Sequence, residues 1–142
     1  MFCRKIVIAV IALSIGISIL GDAKSLYVIA RHHTAQFDAW NIEAPGCPTP
    51  IKYQASYDLS HASDPAGVAI DNDSAVLFIT SEFDEGVELV DATNMEPLGW
   101  APGAKNLAGI DIDDRNNIVY AVQRGTGNLY VYAWDPTART LT

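Results

Sequence analysis

The chain has 142 residues, 9 Lys and Arg against 17 Asp and Glu, and a formal net charge of −8. That acidity argues against a phosphate-binding surface and against nucleic acid as a partner. A composition of 49% hydrophobic and 18% charged residues excludes a disordered chain, and two cysteines are too few for a disulfide scaffold.

Residues 1–23 have the three-part layout of an export signal. Arg4 and Lys5 precede an apolar run from Ile6 to Leu20, and Gly21-Asp22-Ala23 places small residues before a cut at Lys24. The run is shorter than the ~20 apolar residues a membrane span needs. The expectation is therefore cleavage, no retained membrane span, and a mature protein that is secreted, periplasmic or at the cell surface. Cys3 precedes the run and leaves with it. Cys47, in the turn Pro45-Gly46-Cys47-Pro48-Thr49-Pro50, becomes the sole cysteine. It reads as a lone, partly buried thiol, with an intermolecular disulfide or a reactive thiol as the alternative.

The remainder, residues 24–142, shows no amphipathic helix. It consists of short β-runs cut by Gly, Pro, Asn and Asp. Leu26–Ala30, Phe37–Ile42 and Ile51–Leu59 read as the second, third and outer strands of a unit whose tail spans 26–59. Asp64-Pro65-Ala66-Gly67-Val68-Ala69-Ile70-Asp71 then matches Asn106-Leu107-Ala108-Gly109-Ile110-Asp111-Ile112-Asp113, with the glycines 42 residues apart. Val76-Leu77-Phe78 matches Ile118-Val119-Tyr120 at the same offset. Each unit continues through a Gly-containing turn to a third strand, giving units at 64–100 and 106–142.

A period of ~40–45 residues with about four strands per unit predicts an all-β fold of propeller type. The apolar runs Val76–Ile79 and Ile118–Val122 suit inner strands covered on both faces. Gly67 and Gly109 suit an innermost strand where blades crowd together.

Ala66-Gly67-Val68-Ala69-Ile70-Asp71 followed by Leu77-Phe78-Ile79-Thr80 resembles the repeat grammar of NHL, YVTN and SMP-30/gluconolactonase-like propellers. Ala108–Asp113 with Val119-Tyr120-Ala121-Val122 repeats it. The resemblance implies a partial propeller of two and a half to three four-stranded blades after a signal peptide. Closed propellers have ~4–8 blades, so the remaining blades are expected from a longer chain or from oligomerisation. The family includes binding scaffolds, lactonases and lyases, so fold alone does not choose a function.

Candidate chemistry is sparse. Asp71, Asp73, Asp111 and Asp113 follow the inner strands and are the only candidate metal ligands, with Ca²⁺ the ion that clustered oxygens suit. Neither cluster has EF-hand spacing, and Asp in such positions also builds tight turns. His32, His33 and His61 read as loop histidines, and Glu82, Asp84, Glu85 and Glu88 as a solvated acidic loop. Most aromatic residues read as blade packing. No nucleophile elbow, P-loop, zinc spacing or dinucleotide fingerprint is present, so no catalytic residue and no cofactor is assigned. The expected function is a secreted binding module for a protein, peptide or carbohydrate. The alternative is part of a metal-dependent SMP-30/gluconolactonase-like hydrolase or a related propeller lyase.

Overall fold

The structure, a computed structural model, describes residues 15–19, 25–30, 35–42 and 51–142, with side chains at 35–40 and 54–142. Short β-branched and aromatic runs interrupted by turn residues fold into strands and, among the described residues, no helix. In chain order the strands are β1 (Ile15–Ile19), β2 (Ser25–Ala30), β3 (Gln36–Ile42) and β4 (Ile51–Asp58). Next come β5 (Pro65–Asp71), β6 (Val76–Ser81), β7 (Gly86–Asp91) and β8 (Pro97–Pro102). The last four are β9 (Leu107–Asp113), β10 (Ile118–Gln123), β11 (Leu129–Asp135) and β12 (Thr140–Leu141).

They pair as three four-stranded antiparallel sheets, each an up-and-down meander: β1–β4, β5–β8 and β9–β12. The second and third sheets share one register. Phe78 lies between Ala69 and Leu89, and Tyr120, 42 residues on, lies between Asp111 and Val131. The inner strands β1, β5 and β9 run side by side, so the sheets stack face to face around them.

Two apolar layers hold the stack. Phe37 and Ala39 of the first sheet pack against Val68, Ile70, Leu77, Ile79 and Val90 of the second. Ala69, Val76, Phe78, Val87 and Leu89, on the second sheet's other face, pack against Leu107, Val119, Ala121, Tyr132 and Trp134 of the third. Each large apolar side chain so buried contributes about 1.5–3 kcal/mol.

The middle sheet therefore has two covered faces, and every residue of β6 is buried. Strand β10 differs from the sequence expectation. Val119 and Ala121 are buried, whereas Ile118, Tyr120 and Val122 on the opposite face are not, because none of the described sheets lies over that face. The two matched glycines differ for the same reason. A Cβ at Gly67 would meet the Ala108 carbonyl oxygen at 2.8 Å, but one at Gly109 would meet nothing within 4 Å.

Strand β1 falls inside the stretch read as an export signal, and it pairs with β2 along its whole length. A chain cut before Lys24 keeps β2, β3 and β4 in the first sheet. Cys3, Cys47, His32 and His33 lie outside the described residues.

Candidate functional site

A meander places its connections at two ends. The β5–β6 and β7–β8 hairpins, with their third-sheet counterparts, form one end. Aspartates build these turns because a short carboxylate can accept bonds from the next backbone amides. Asp71 accepts from the Asp73 amide (3.0 Å) and the Ser74 hydroxyl (2.6 Å). Asp113 repeats the arrangement with the Asn116 amide and side chain (3.3 and 2.7 Å).

Asp71 also bonds the third sheet. The buried Trp134 indole N–H donates to it at 2.8 Å, and the indole meets the Phe78 ring at right angles with centroids 4.8 Å apart. Burial by itself pushes the Asp71 carboxyl up. The bonds from Ser74, Trp134 and the turn amides outweigh it and hold the group below its ordinary value. The Asn116 side chain does the same for Asp113, which is half-buried. Asp91 binds the Arg139 guanidinium across the same boundary at 2.7 Å. That bond, with those from Thr93, pulls the Asp91 carboxyl far below the carboxylate range.

Asp71 and Asp113 thus serve as turn formers, and Asp71 also as a link between sheets. Asp73 gives its amide to Asp71, and Asp111 sits exposed on β9, its carboxylate accepting from the Ile112 amide. Among the described residues no three His, Cys, Asp or Glu side chains converge as a metal site would require.

The opposite end gathers the β4–β5, β6–β7, β8–β9 and β10–β11 connections. Here the reading of a solvated acidic loop needs correction. Glu88 is on β7, not in a loop, and is fully buried. Its carboxylate accepts the backbone amides of Ser60, His61 and Ala62 at 2.7, 2.9 and 2.7 Å, which repays the cost of burying a charge. Glu82 is buried too and pairs with Arg124 at 2.6 Å. Asp84 accepts from Ser63 and Ser81, each hydroxyl at 2.7 Å. Burial raises its carboxyl, but these bonds and the nearby His61 lower it further than burial lifts it.

What this end exposes is a mixed surface. Phe83 is 57% exposed at the tip of the β6–β7 turn. Lys105 meets Glu85 at 3.2 Å with both side chains largely in water. His61 stacks on Trp100, centroids 5.6 Å apart. An aromatic tip, a stacked imidazole–indole pair and charges of both signs can bind an extended peptide or a glycan. They hold no nucleophile–base pair.

No known family's sequence profile matches the chain, and no curated protein matches it in sequence. Solved structures do match its shape. The β-propeller domain of Myceliophteria thermophila Cps50 (Swd1) superposes with a TM-score of 0.67 at 10% identity, over 85% of this chain and 41% of that one. Hydrazine synthase of Kuenenia stuttgartiensis gives 0.63 at 16% identity, over 85% of this chain and 32% of that one.

The fold is a β-propeller. The three sheets are its blades, β1, β5 and β9 their innermost strands. The chain spans less than half the length of either counterpart, and identities this low speak for fold alone. Among the described residues, no helix is long and apolar enough to cross a membrane.

Proposed function

We propose that this propeller is an exported, non-catalytic binding module of NHL/YVTN-like type that recognises a peptide segment at the end carrying Phe83, His61 and Trp100. The single observation that carries this reading is the division of labour between surface and interior. The buried polar groups Asp71, Glu82 and Glu88 are tied to turns, loops or neighbouring blades. The exposed aromatic Phe83 stands on a connection beside charges of both signs. Aromatic anchors with polar neighbours are the usual makings of a recognition surface. The hydrolase alternative gains nothing from Asp71, whose oxygens are occupied by Ser74, Trp134 and the turn amide. Export rests on the Arg4–Ala23 pattern.

The test is selection of peptides from a random display library on the immobilised chain, followed by the same peptides on Phe83→Ala and His61→Ala variants. Loss of binding of tenfold or more, about 1.4 kcal/mol, in either variant supports the reading. Undiminished binding in both sinks it. Hydrolysis of an aldonolactone by the chain with millimolar calcium would return the hydrolase alternative.

A further inference from the structure

One of the seven asparagines, Asn72, opens the tripeptide Asn72-Asp73-Ser74. An asparagine with serine or threonine two residues on, and no proline between, is the acceptor sequence for an N-linked oligosaccharide. None of the other six asparagines has Ser or Thr at that distance. Such a sequence can be used only where the finished fold leaves it on the surface. Asn72 and Asp73 are exposed at the tip of the hairpin that joins β5 to β6, and Ser74 and Ala75 are half-buried.

The hairpin does not need Asn72 for its own construction. Its bonds run to Asp71 from the Asp73 amide, the Ser74 hydroxyl and the Trp134 indole. An asparagine in a turn is ordinarily explained by the bond its side chain makes to the backbone two residues on, and here Asp71 makes that bond. The repeat does not ask for an amide either, since the residue 42 positions on is Asp114. Contact with the third blade is made by the carbonyl oxygens of Ser74 and Ala75, which accept from Arg139 at 3.3 and 3.5 Å. A branch on the Asn72 side chain therefore displaces none of these bonds and extends into water.

We infer that Asn72 is glycosylated as the chain is exported through a compartment that holds a lipid-diphosphate-linked oligosaccharide. The inference rests on the export reading and is independent of peptide binding. The step is a glycosyl transfer. The Asn72 carboxamide nitrogen bonds to C1 of the first sugar, the bond from C1 to the diphosphate oxygen breaks, and the nitrogen gives up one proton as the lipid diphosphate leaves. In the finished turn the Ser74 hydroxyl is engaged by Asp71 at 2.6 Å. Transfer before the hairpin closes finds that hydroxyl free, and the chain then folds with the sugar outside. The oligosaccharide stands at the end of the blades opposite Phe83, His61 and Trp100, and leaves that surface open.

Translation of the full chain in the presence of endoplasmic-reticulum microsomes tests this, beside Asn72→Gln and Ser74→Thr variants. Export is read separately, as loss of the leader and protection from added protease. The expected wild type is protected and carries one oligosaccharide, which peptide N-glycosidase removes with conversion of Asn72 to aspartate. Asn72→Gln should be protected and unmodified, and should melt with the deglycosylated wild type because its side chain lies outside the turn's bonds. Ser74→Thr keeps the hydroxyl and should be modified. A protected wild type without oligosaccharide overturns the inference and leaves export standing. So does an oligosaccharide that persists in Asn72→Gln. A chain that stays outside the microsomes overturns both readings.

Discussion

Trp134→Phe tests whether blades are joined by specific polar links or by apolar contact alone. The substitution keeps an aromatic ring against Phe78 and removes the N–H that reaches the buried Asp71 at 2.8 Å. A hydrogen bond to a charged group is worth about 1.5–3 kcal/mol, and the smaller ring forfeits about 1 kcal/mol of burial. The expected loss is about 3 kcal/mol, a fall of about 10 °C in the melting temperature of a chain this size. Urea denaturation of wild type, Trp134→Phe, Asp71→Asn and the double variant isolates the link. In the Asp71→Asn background the bond is neutral, so the Trp134 change should cost about 1 kcal/mol less. The Asp71 carboxyl lies below its ordinary value of 3.8, so its stabilisation is complete above that pH and fades below it as the group protonates. Equal costs of Trp134→Phe in both backgrounds, at neutral pH, would refute the link.

Glu88→Ala should cost more than about 3 kcal/mol, because it strands the amides of Ser60, His61 and Ala62; hydrogen exchange should show these three amides losing protection. Arg139→Met installs the side chain that the second blade carries at the matching left-handed turn position, Met95. With Arg139 present, the depressed Asp91 carboxyl contributes stability above pH 3.8 that is lost as the pH falls, so melting curves of the variant should show a smaller loss on acidification. Ala75 has φ +54°, and its counterpart Asn117 has φ +55°. Asn tolerates that conformation better than Ala, so Ala75→Asn should raise the melting temperature by a few degrees, about 0.5–1 kcal/mol.

The repeat was legible because strand chemistry survives copying. Val76–Phe78 and Ile118–Tyr120 keep both spacing and register, and the propeller follows from that spacing. Glu88 was not legible. A glutamate among Glu82, Asp84 and Glu85 reads as solvated, and its partners are backbone amides, which have no sequence signature. The Trp134–Asp71 bond spans 63 residues between unlike blade positions, so periodicity does not point to it. The Glu82–Arg124 pair did carry a signal, since the two residues are 42 apart, as are Gly67 and Gly109. Opposite charges at one repeat position in adjacent units face each other when the units stack. The expectation of burial on both faces of β10 failed because strand composition records what a face can pack against, not what lies over it.

The two apolar layers are both built of Val, Ile, Leu, Ala and aromatic side chains, so they alone discriminate poorly between neighbouring blades. The polar links differ from one boundary to the next. Between the second and third blades they are Asp71–Trp134, Glu82–Arg124 and Asp91–Arg139. Where the first blade leads into the second, it is Glu88 with the amides after β4. A misordered stack would keep most of its apolar contact but leave Glu82 and Asp71 buried without their cationic or indole donors. An orphaned buried charge costs several kcal/mol, more than a slightly worse apolar fit. The order of the blades is therefore set by the charged residues that the repeat does not share, while the attraction between blades comes from the apolar ones that it does.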